Sequence, residues 1–564
     1  VVKKYRFLIA GCIFLFCIPA VHAEIKPFWV FFSDRGGMNI EKAVAAKIAS
    51  SEEPKSISRR ARIMGKDAIF DERDLPVNPD YCEKVREIAG TLRTVTRYFN
   101  GVSVDLDDDM IEKVRVLPFV RQVQPVKRLK MPPEPDKDGA QKPGTEQKDG
   151  GLSYGNSFDQ VNMVGAIDVH NLGYFGDGIT IAVLDSGFDN LEHTAFDSTR
   201  VSYKRDFVDG DDNPVGDDHG SEVLSIMSGL DHGNMIGTAP YAEYILARTE
   251  IIDQELRAEE DYWIAGIEWA DSLGADVVNS SLGYIEFDDG DSYTYEDLDG
   301  KTAITSLAAD IAVANGIVVV TSAGNEGNKP WHYVTTPSDG FGVLAIGGVD
   351  PDGEITSFSS RGPTYDGRIK PDFVALGDDV AVVNTATPGS YKFVQGTSYA
   401  SPAVSGAVAL ILEVNQSWGP EEVRNALIST SSLGIAGADT VYGYGIIDAL
   451  AASGLEKPEH PVAAFRAYNP YPQPFNFSKG DRKVFFPVDI PSEGALSIKI
   501  FNVSGETISA VEAVFQSSGN KSGRTEAPSW DGTNFTGDDV APGIYYYTIR
   551  FGYGGHTGKI AVIR

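Results

Sequence analysis

Three short segments of the 564-residue sequence carry side chains that together could run nucleophilic catalysis. ITIAVLDSGFD places Asp185 directly behind an apolar run, and DDHGSEVLSIMSG places His219 at what reads as a helix start, followed by Gly220, which permits close packing against a neighbour. GTSYASPAVSGAVALIL places Ser398 where a glycine-containing loop enters an apolar helix. A serine hydroxyl is a weak nucleophile near neutral pH, so an imidazole has to take its proton as the bond to a carbonyl forms. A carboxylate then fixes the tautomer of that imidazole and stabilises its protonated form. A fourth segment, VVVTSAGNEG, ends an apolar strand and presents Asn325, whose amide can donate to a developing oxyanion together with the backbone N–H of Ser398. Each residue alone has an ordinary structural use as a strand-end cap, a helix-start polar group or a turn hydroxyl; only the set points to acyl transfer.

Other hydrolase chemistries fit less well. A lipase or esterase nucleophile sits in G-x-S-x-G and its triad runs Ser, Asp, His, whereas Ser398 sits in GTSYASP and comes last. A zinc hydrolase reading lacks an HExxH helix or a Cys/His cluster. Of three cysteines, Cys12 and Cys17 lie in an N-terminal apolar run and only Cys82 lies beyond it, which argues against a thiol nucleophile and an intramolecular disulfide framework.

The scaffold that must position these groups is legible as alternation. Across 151–455, short apolar strands at 179–184, 276–279 and 317–320 are interleaved with helix-like stretches at 259–272 and 303–314. Strands apolar on both faces imply an α/β fold with a parallel sheet covered by helices on both sides, three layers in all. In such sheets active groups gather at the carboxyl ends of the strands.

The four segments, in the order Asp, His, Asn, Ser, resemble the corresponding boxes of the subtilase superfamily across 151–455. That resemblance implies a three-layer subtilisin-like sheet and serine endopeptidase activity on polypeptide substrates. Asp185, His219 and Ser398 would form the triad, with Asn325 in the oxyanion hole. It also implies that Ser281, Leu282 and Gly283, and Ser322, Ala323 and Gly324, flank an extended substrate backbone. GTAP at 237–240 and SFSSRGP at 357–363 resemble further family segments. One departure from the pattern is Ser221, followed by Glu222, after the His-Gly pair, where the family often has Thr; the bulky Tyr399 after the nucleophile stands at a position that commonly varies. The alternative of another class is a catalytically silent surface adhesion or binding protein that reuses the scaffold.

Five flanking regions complete the expected organisation. Lys3, Lys4 and Arg6 precede an apolar run that ends in VHA, so 1–23 reads as a signal peptide cleaved after Ala23 and the protein as secreted or cell-surface. Residues 24–130 read as a small α+β unit, with strands at 28–34, 101–106 and from Val120, and helices at 38–50 and 107–116. Its second half resembles the subtilisin propeptide family, which implies a propeptide acting in cis as inhibitor and folding aid. Residues 131–150, rich in Pro, Gly, Lys and Asp, read as a linker and maturation region, and 456–466 as a second linker. Residues 467–564 read as an antiparallel β-sandwich. YNPYPQPFNFS, IKIFNVSGE, WDGTNFTG, VAPGIYYYTI and GKIAVIR there resemble FlgD-related immunoglobulin-like modules and sorting tails, which implies bacterial outer-membrane export machinery as a partner.

Charge is concentrated rather than spread. The formal net charge is -31, and 151–455 carry 47 acidic against 12 basic side chains, whereas 467–564 carry nine of each. Such a surface repels nucleic acid. Acidic strings at 209–218 and 286–299 suit the hard oxygen ligation of a structural Ca²⁺, while the proposed chemistry requires no cofactor.

Overall fold

A computed structural model describes residues 25–126 and 154–563, apart from 40–41, 44–53, 65–68, 232, 252–258, 286–292, 388, 457–464 and short stretches between 469 and 553. The expected signal peptide at 1–23, the linker at 131–150 and most of that at 456–466 lie outside the described residues. So does most of the helix expected at 38–50, of which Lys42 and Ala43 are described and helical.

The N-terminal unit is an antiparallel sheet of β1 (Lys26–Phe32), β2 (Leu92–Thr96), β3 (Gly101–Leu106) and β4 (Val120–Pro125), ordered β2-β3-β1-β4. Among the described residues the helices α1 (Pro54–Met64), α2 (Pro79–Ala89) and α3 (Asp108–Arg115) accompany it. Proline at the first position and the Asn78 side chain, which accepts from the Asp80 and Tyr81 amides, start α2. The Asp107 carboxylate caps α3 through the Met110 amide. Period-two alternation splits β1 between two cores. Val30 and Phe32 pack with Val85, Ile111 and Val114 of α2 and α3, while Trp29 and Phe31 face the other way, into the neighbouring unit.

That neighbour is built on seven strands: β5 (Thr180–Asp185), β6 (Arg200–Asp206), β7 (Glu243–Arg248), β8 (Val277–Ser280), β9 (Val318–Ser322), β10 (Leu344–Val349) and β11 (Phe373–Leu376). Their order is β11-β10-β9-β8-β5-β7-β6, and every adjacent pair is parallel. Ile181, Val183, Val277, Val318 and Val320 point to one face, covered by α4 (His219–Ser228) and α7 (Thr397–Val414). Ala182, Leu184, Val278 and Val319 point to the other, covered by α5 (Glu259–Leu273) and α6 (Ile304–Ala314). The expected three-layer α/β fold is thus observed. α7 is long and apolar enough to cross a membrane, yet its first sixteen residues are all buried inside the protein. A two-stranded antiparallel hairpin, β12 (Val380–Val383) and β13 (Tyr391–Val394), leads into it.

The chain leaves β5 towards β6 and β7 on one side and returns to β8 on the other. Strand order therefore reverses at β5, and the carboxyl ends of β5 and β8 border the crevice where an open α/β sheet holds ligands. Asp185 is the last residue of β5.

The C-terminal region is antiparallel in its main sheet, made of β14 (Gly494–Phe501), β15 (Thr507–Phe515), β16 (Gly543–Phe551) and β17 (Gly554–Ile563). A short strand, Phe475–Asn476, adds to β17 in parallel. The stretch KVFFPVDI does not form the single strand its composition suggests. Pro487 lacks an N–H for a ladder, and the chain divides into Val484–Phe485, paired with Ser529–Trp530, and Val488–Ile490, paired with Gly519–Lys521.

Candidate active site

The carboxylate of Asp185 is fully buried and ends β5 inside the crevice. Its Oδ1 accepts from the Ser186 amide at 2.8 Å and the Ser186 hydroxyl at 3.2 Å, and meets Nδ1 of His219 at 2.6 Å. With Nδ1 facing a carboxylate oxygen, the proton belongs on Nδ1, which leaves Nε2 as the basic nitrogen. The approach depends on Gly220. A Cβ there would lie 2.3 Å from the Gly187 carbonyl oxygen and 3.0 Å from the Asp185 Cβ, so a larger residue would lever α4 away from the carboxylate.

Ser398 is the second residue of α7, 4 % exposed, at the end where backbone N–H groups lack intrahelical partners and the helix dipole favours negative charge. Its hydroxyl donates to the Ser281 carbonyl at 3.2 Å. Pro402 lies four residues on and has no N–H, so the Ser398 carbonyl loses its helical donor. The Ser281 hydroxyl takes that place, donating to the Ser398 carbonyl at 2.7 Å, and is itself held by the Asn279 side-chain amide at 3.1 Å. Ser281, expected only to flank substrate, therefore also ties the end of β8 to the first turn of α7. The Pro402 spacing carried a sequence signal for this, because it orphans the Ser398 carbonyl.

Asn325 lies just past β9, 8 % exposed. Its Oδ1 accepts from both the Thr397 amide and the Thr397 hydroxyl at 3.0 Å, so the NH₂ end is the one left to donate outwards. The same Thr397 hydroxyl accepts from the Gly324 amide at 3.2 Å. Gly324 has φ +105°, and a Cβ there would also meet the Thr335 methyl at 2.6 Å. Thr397 thus links the two loops, a role its neighbours in GTS did not disclose. Ser281, Leu282, Gly283, Ser322, Ala323 and Gly324 all follow or end β8 and β9, on adjacent strands at one sheet end.

Several carboxylates of the acidic string at 209–218 have partners within the protein. Asp209 pairs with Arg248 at 2.8 Å, Asp211 accepts from the Asn213 amide, and Asp218 accepts from the Thr385 hydroxyl. Among the described residues no three His, Cys, Asp or Glu side chains form a group that could hold a metal. The second string falls partly at 286–292, outside the described residues.

A buried carboxylate, a histidine in contact with it and a serine at a helix start are chemically a hydrolase arrangement, and comparison with known proteins agrees. Residues 176–445 match the model of the subtilase family, and 27–142 match that of the peptidase S8 propeptide domain of Bacteroidota. A subtilisin of Bacillus pumilus is 32% identical over 299 residues, which cover 52% of this chain and 97% of the relative. The chain belongs to the subtilase family. Subtilisin E of Bacillus subtilis is 29% identical over 375 residues, 65% of this chain and 84% of that protein. Subtilisin BL of Lederbergia lenta is 30% identical over 295 residues, 52% of this chain and 97% of its own length. This subtilase is accordingly a serine-type endopeptidase with a propeptide domain.

The propeptide is held on α5 by charge as well as by Trp29 and Phe31. Arg59 of α1 is buried, donates to the Ala275 carbonyl at 2.6 Å and to the Asn315 carbonyl at 3.2 Å, and pairs with the Asp271 carboxylate. Arg60 bridges Asp271 at 2.5 Å and Asp74 at 2.7 Å, and the Tyr98 hydroxyl donates to Asp271 at 2.8 Å. Although burial pushes the other way, the cations Arg59, Arg60 and Arg97 hold the Asp271 carboxyl down at about 2. Asp261, ten residues earlier on α5, is pushed up to about 6 by burial, with Arg93 opposing.

Proposed function

We propose that Asp185, His219 and Ser398 are the catalytic triad of this endopeptidase and that Asn325 and the Ser398 amide form its oxyanion hole. The observation that carries the reading is the buried 2.6 Å contact of His219 Nδ1 with Asp185, with the ring of Tyr399, the residue after Ser398, 5.6 Å from the His219 ring.

A polypeptide would lie extended along 281–283 and 322–324, its backbone groups pairing with these strand ends. Rotation of the Ser398 hydroxyl away from the Ser281 carbonyl brings it to His219. As Oγ bonds to the scissile carbonyl carbon, its proton passes to Nε2, while Asp185 stabilises the imidazolium through Nδ1. The carbonyl π pair moves onto oxygen, which accepts from Asn325 and from the Ser398 amide at the positive end of α7. The C–N bond breaks, the amine leaves with the proton from Nε2, and an acyl-enzyme remains. Water, deprotonated by His219, releases it by the same steps in reverse.

The flanking regions give the enzyme its context in this reading. The propeptide blocks the protease in cis until cleavage within 131–150, residues 1–23 direct export, and the C-terminal β region serves delivery to the outside through outer-membrane machinery. Its support is the resemblance of 467–564 to sorting modules and the apolar run at 7–21. A structural Ca²⁺, if bound by the acidic strings, would draw on 286–299.

The test is labelling of the processed chain by a fluorophosphonate probe, which reports an activated serine. Labelling abolished by Ser398→Ala supports the triad. Labelling that survives Ser398→Ala, or is absent from the processed wild-type chain, favours the silent binding protein.

A further inference from the structure

Glu222 and Tyr399, from two separate segments of the sequence, meet in space beside the catalytic base. Tyr399 follows Ser398 in the first turn of α7, and its ring centroid lies 5.6 Å from that of His219, tilted by 54°. Its hydroxyl donates to Glu222 Oε2 at 2.9 Å. Glu222 lies three residues after His219 on α4, so it shares that residue's side of the helix. Its other oxygen, Oε1, is 2.5 Å from Nζ of Lys392 on β13. Tyr399 and Glu222 are 4 % and 3 % exposed. A filler residue would need none of these polar partners, since a buried carboxylate is costly unless it is paired.

We infer that Tyr399 is a positioning residue for His219, locked by Glu222 and Lys392 so that base and nucleophile keep their relative placement where α4 and α7 pack against each other. The Nδ1 contact with Asp185 fixes one atom of the imidazole and leaves the plane of the ring to be set by what packs against it. A ring against its side restricts that plane, and that ring is fixed because its hydroxyl is bonded to the helix that carries His219. Since Tyr399 adjoins Ser398 in sequence, one hydrogen bond spans the two halves of the site. The charges that face Glu222 are Lys392 from β13, Asp218 at the head of α4, 3.8 Å from the same ammonium, and His219 itself. Burial pushes the Glu222 carboxyl up to about 7 against the pull of Lys392. In its ionised form Glu222 favours imidazolium, and without it Lys392 disfavours imidazolium.

The inference rests on the triad reading, and a single set of measurements separates the two. Wild type, Tyr399→Phe, Glu222→Ala, the double variant of these two and Glu222→Gln are processed as full chains. Active sites are counted with the fluorophosphonate, and kcat and KM are measured per labelled site on one peptide across pH. Tyr399→Phe keeps the ring and its packing, so it tests the tether alone. Expected are a fall in kcat of about tenfold in Tyr399→Phe and in Glu222→Ala with KM little changed, and no further loss in the double variant. Glu222→Gln moves the acid limb of kcat/KM to lower pH by about half a unit. Unchanged kcat and pH profile, losses that multiply in the double variant, or changes confined to KM overturn the inference while wild-type labelling stands. Labelling that does not depend on Ser398 overturns the triad, and the inference with it.

Discussion

At the residue scale, the chemistry depends on which end of a side chain is left available. Asn325 is held by the two bonds its oxygen accepts from Thr397, so its amide is oriented before substrate arrives. Asn325→Ala is expected to lower kcat by about 10²- to 10³-fold with a small effect on KM, the scale set by removing one such donor from subtilisin, a relative. Steady-state kinetics on a peptide substrate checks it. Ser281 makes a different kind of demand. Ser281→Ala leaves the Ser398 carbonyl without its 2.7 Å donor in a buried place, for a destabilisation of about 1–3 kcal/mol, read from the denaturant midpoint of the full chain. An unchanged midpoint would show that another group satisfies that carbonyl.

At the element scale, α4 and α7 approach β5 and β8 only because small residues stand at the crossings. Gly220→Ala puts a methyl 2.3 Å from the Gly187 carbonyl oxygen. Something must shift, and the cheapest motion moves α4 with His219 away from Asp185. Activity is therefore expected to fall at least tenfold while the thermal midpoint drops by only a few degrees. Equal losses in activity and fold would instead mean that the whole helix is dislodged. The strands that carry these groups were legible because a parallel sheet buried on both faces writes continuous Val, Ile and Ala runs. α1 was not foreseen, since its burying residues are Ser56, Arg59 and Arg60, which read as a solvated face until their partners on α5 are known.

At the scale of the whole molecule, the contact between propeptide and protease should respond to pH in two opposed ways. Asp261 has its carboxyl raised from 3.8 to about 6, so its ionised form costs stability above that range, and the cost vanishes as pH falls from about 6 towards 3.8. Asp271 is lowered from 3.8 to about 2, so its contribution is full above about pH 4 and is lost as pH falls through 2. The uncut Ser398→Ala chain is therefore expected to gain thermal stability between pH 7 and pH 5, and Asp261→Asn to remove part of that gain. A pH slope identical in both chains would place the titrating group elsewhere. Arg59→Ala in the same background leaves Asp271 short of a buried partner and should cost about 3–5 kcal/mol, measured by denaturant unfolding.

The sequence by itself determined the fold class, the order of the four site segments and the identity of Asp185, His219, Asn325 and Ser398 as candidates. These follow from local signals: burial pattern, glycines at close approaches, and polar residues at the ends of apolar runs. Only the tertiary structure decided what each group meets. Ser281 under the Ser398 carbonyl, Thr397 on Asn325, Tyr399 against His219 and Arg59 on Asp271 join residues between 72 and 212 positions apart. Tyr399 and Glu222 stand 177 apart in the chain and 2.9 Å apart in space. A hydrogen bond needs a donor within about 3 Å of an acceptor at a suitable angle, and sequence spacing fixes neither distance nor angle once the two lie on different elements. The packing of these elements brings such partners together, and with them Glu222 and Tyr399 become neighbours of His219.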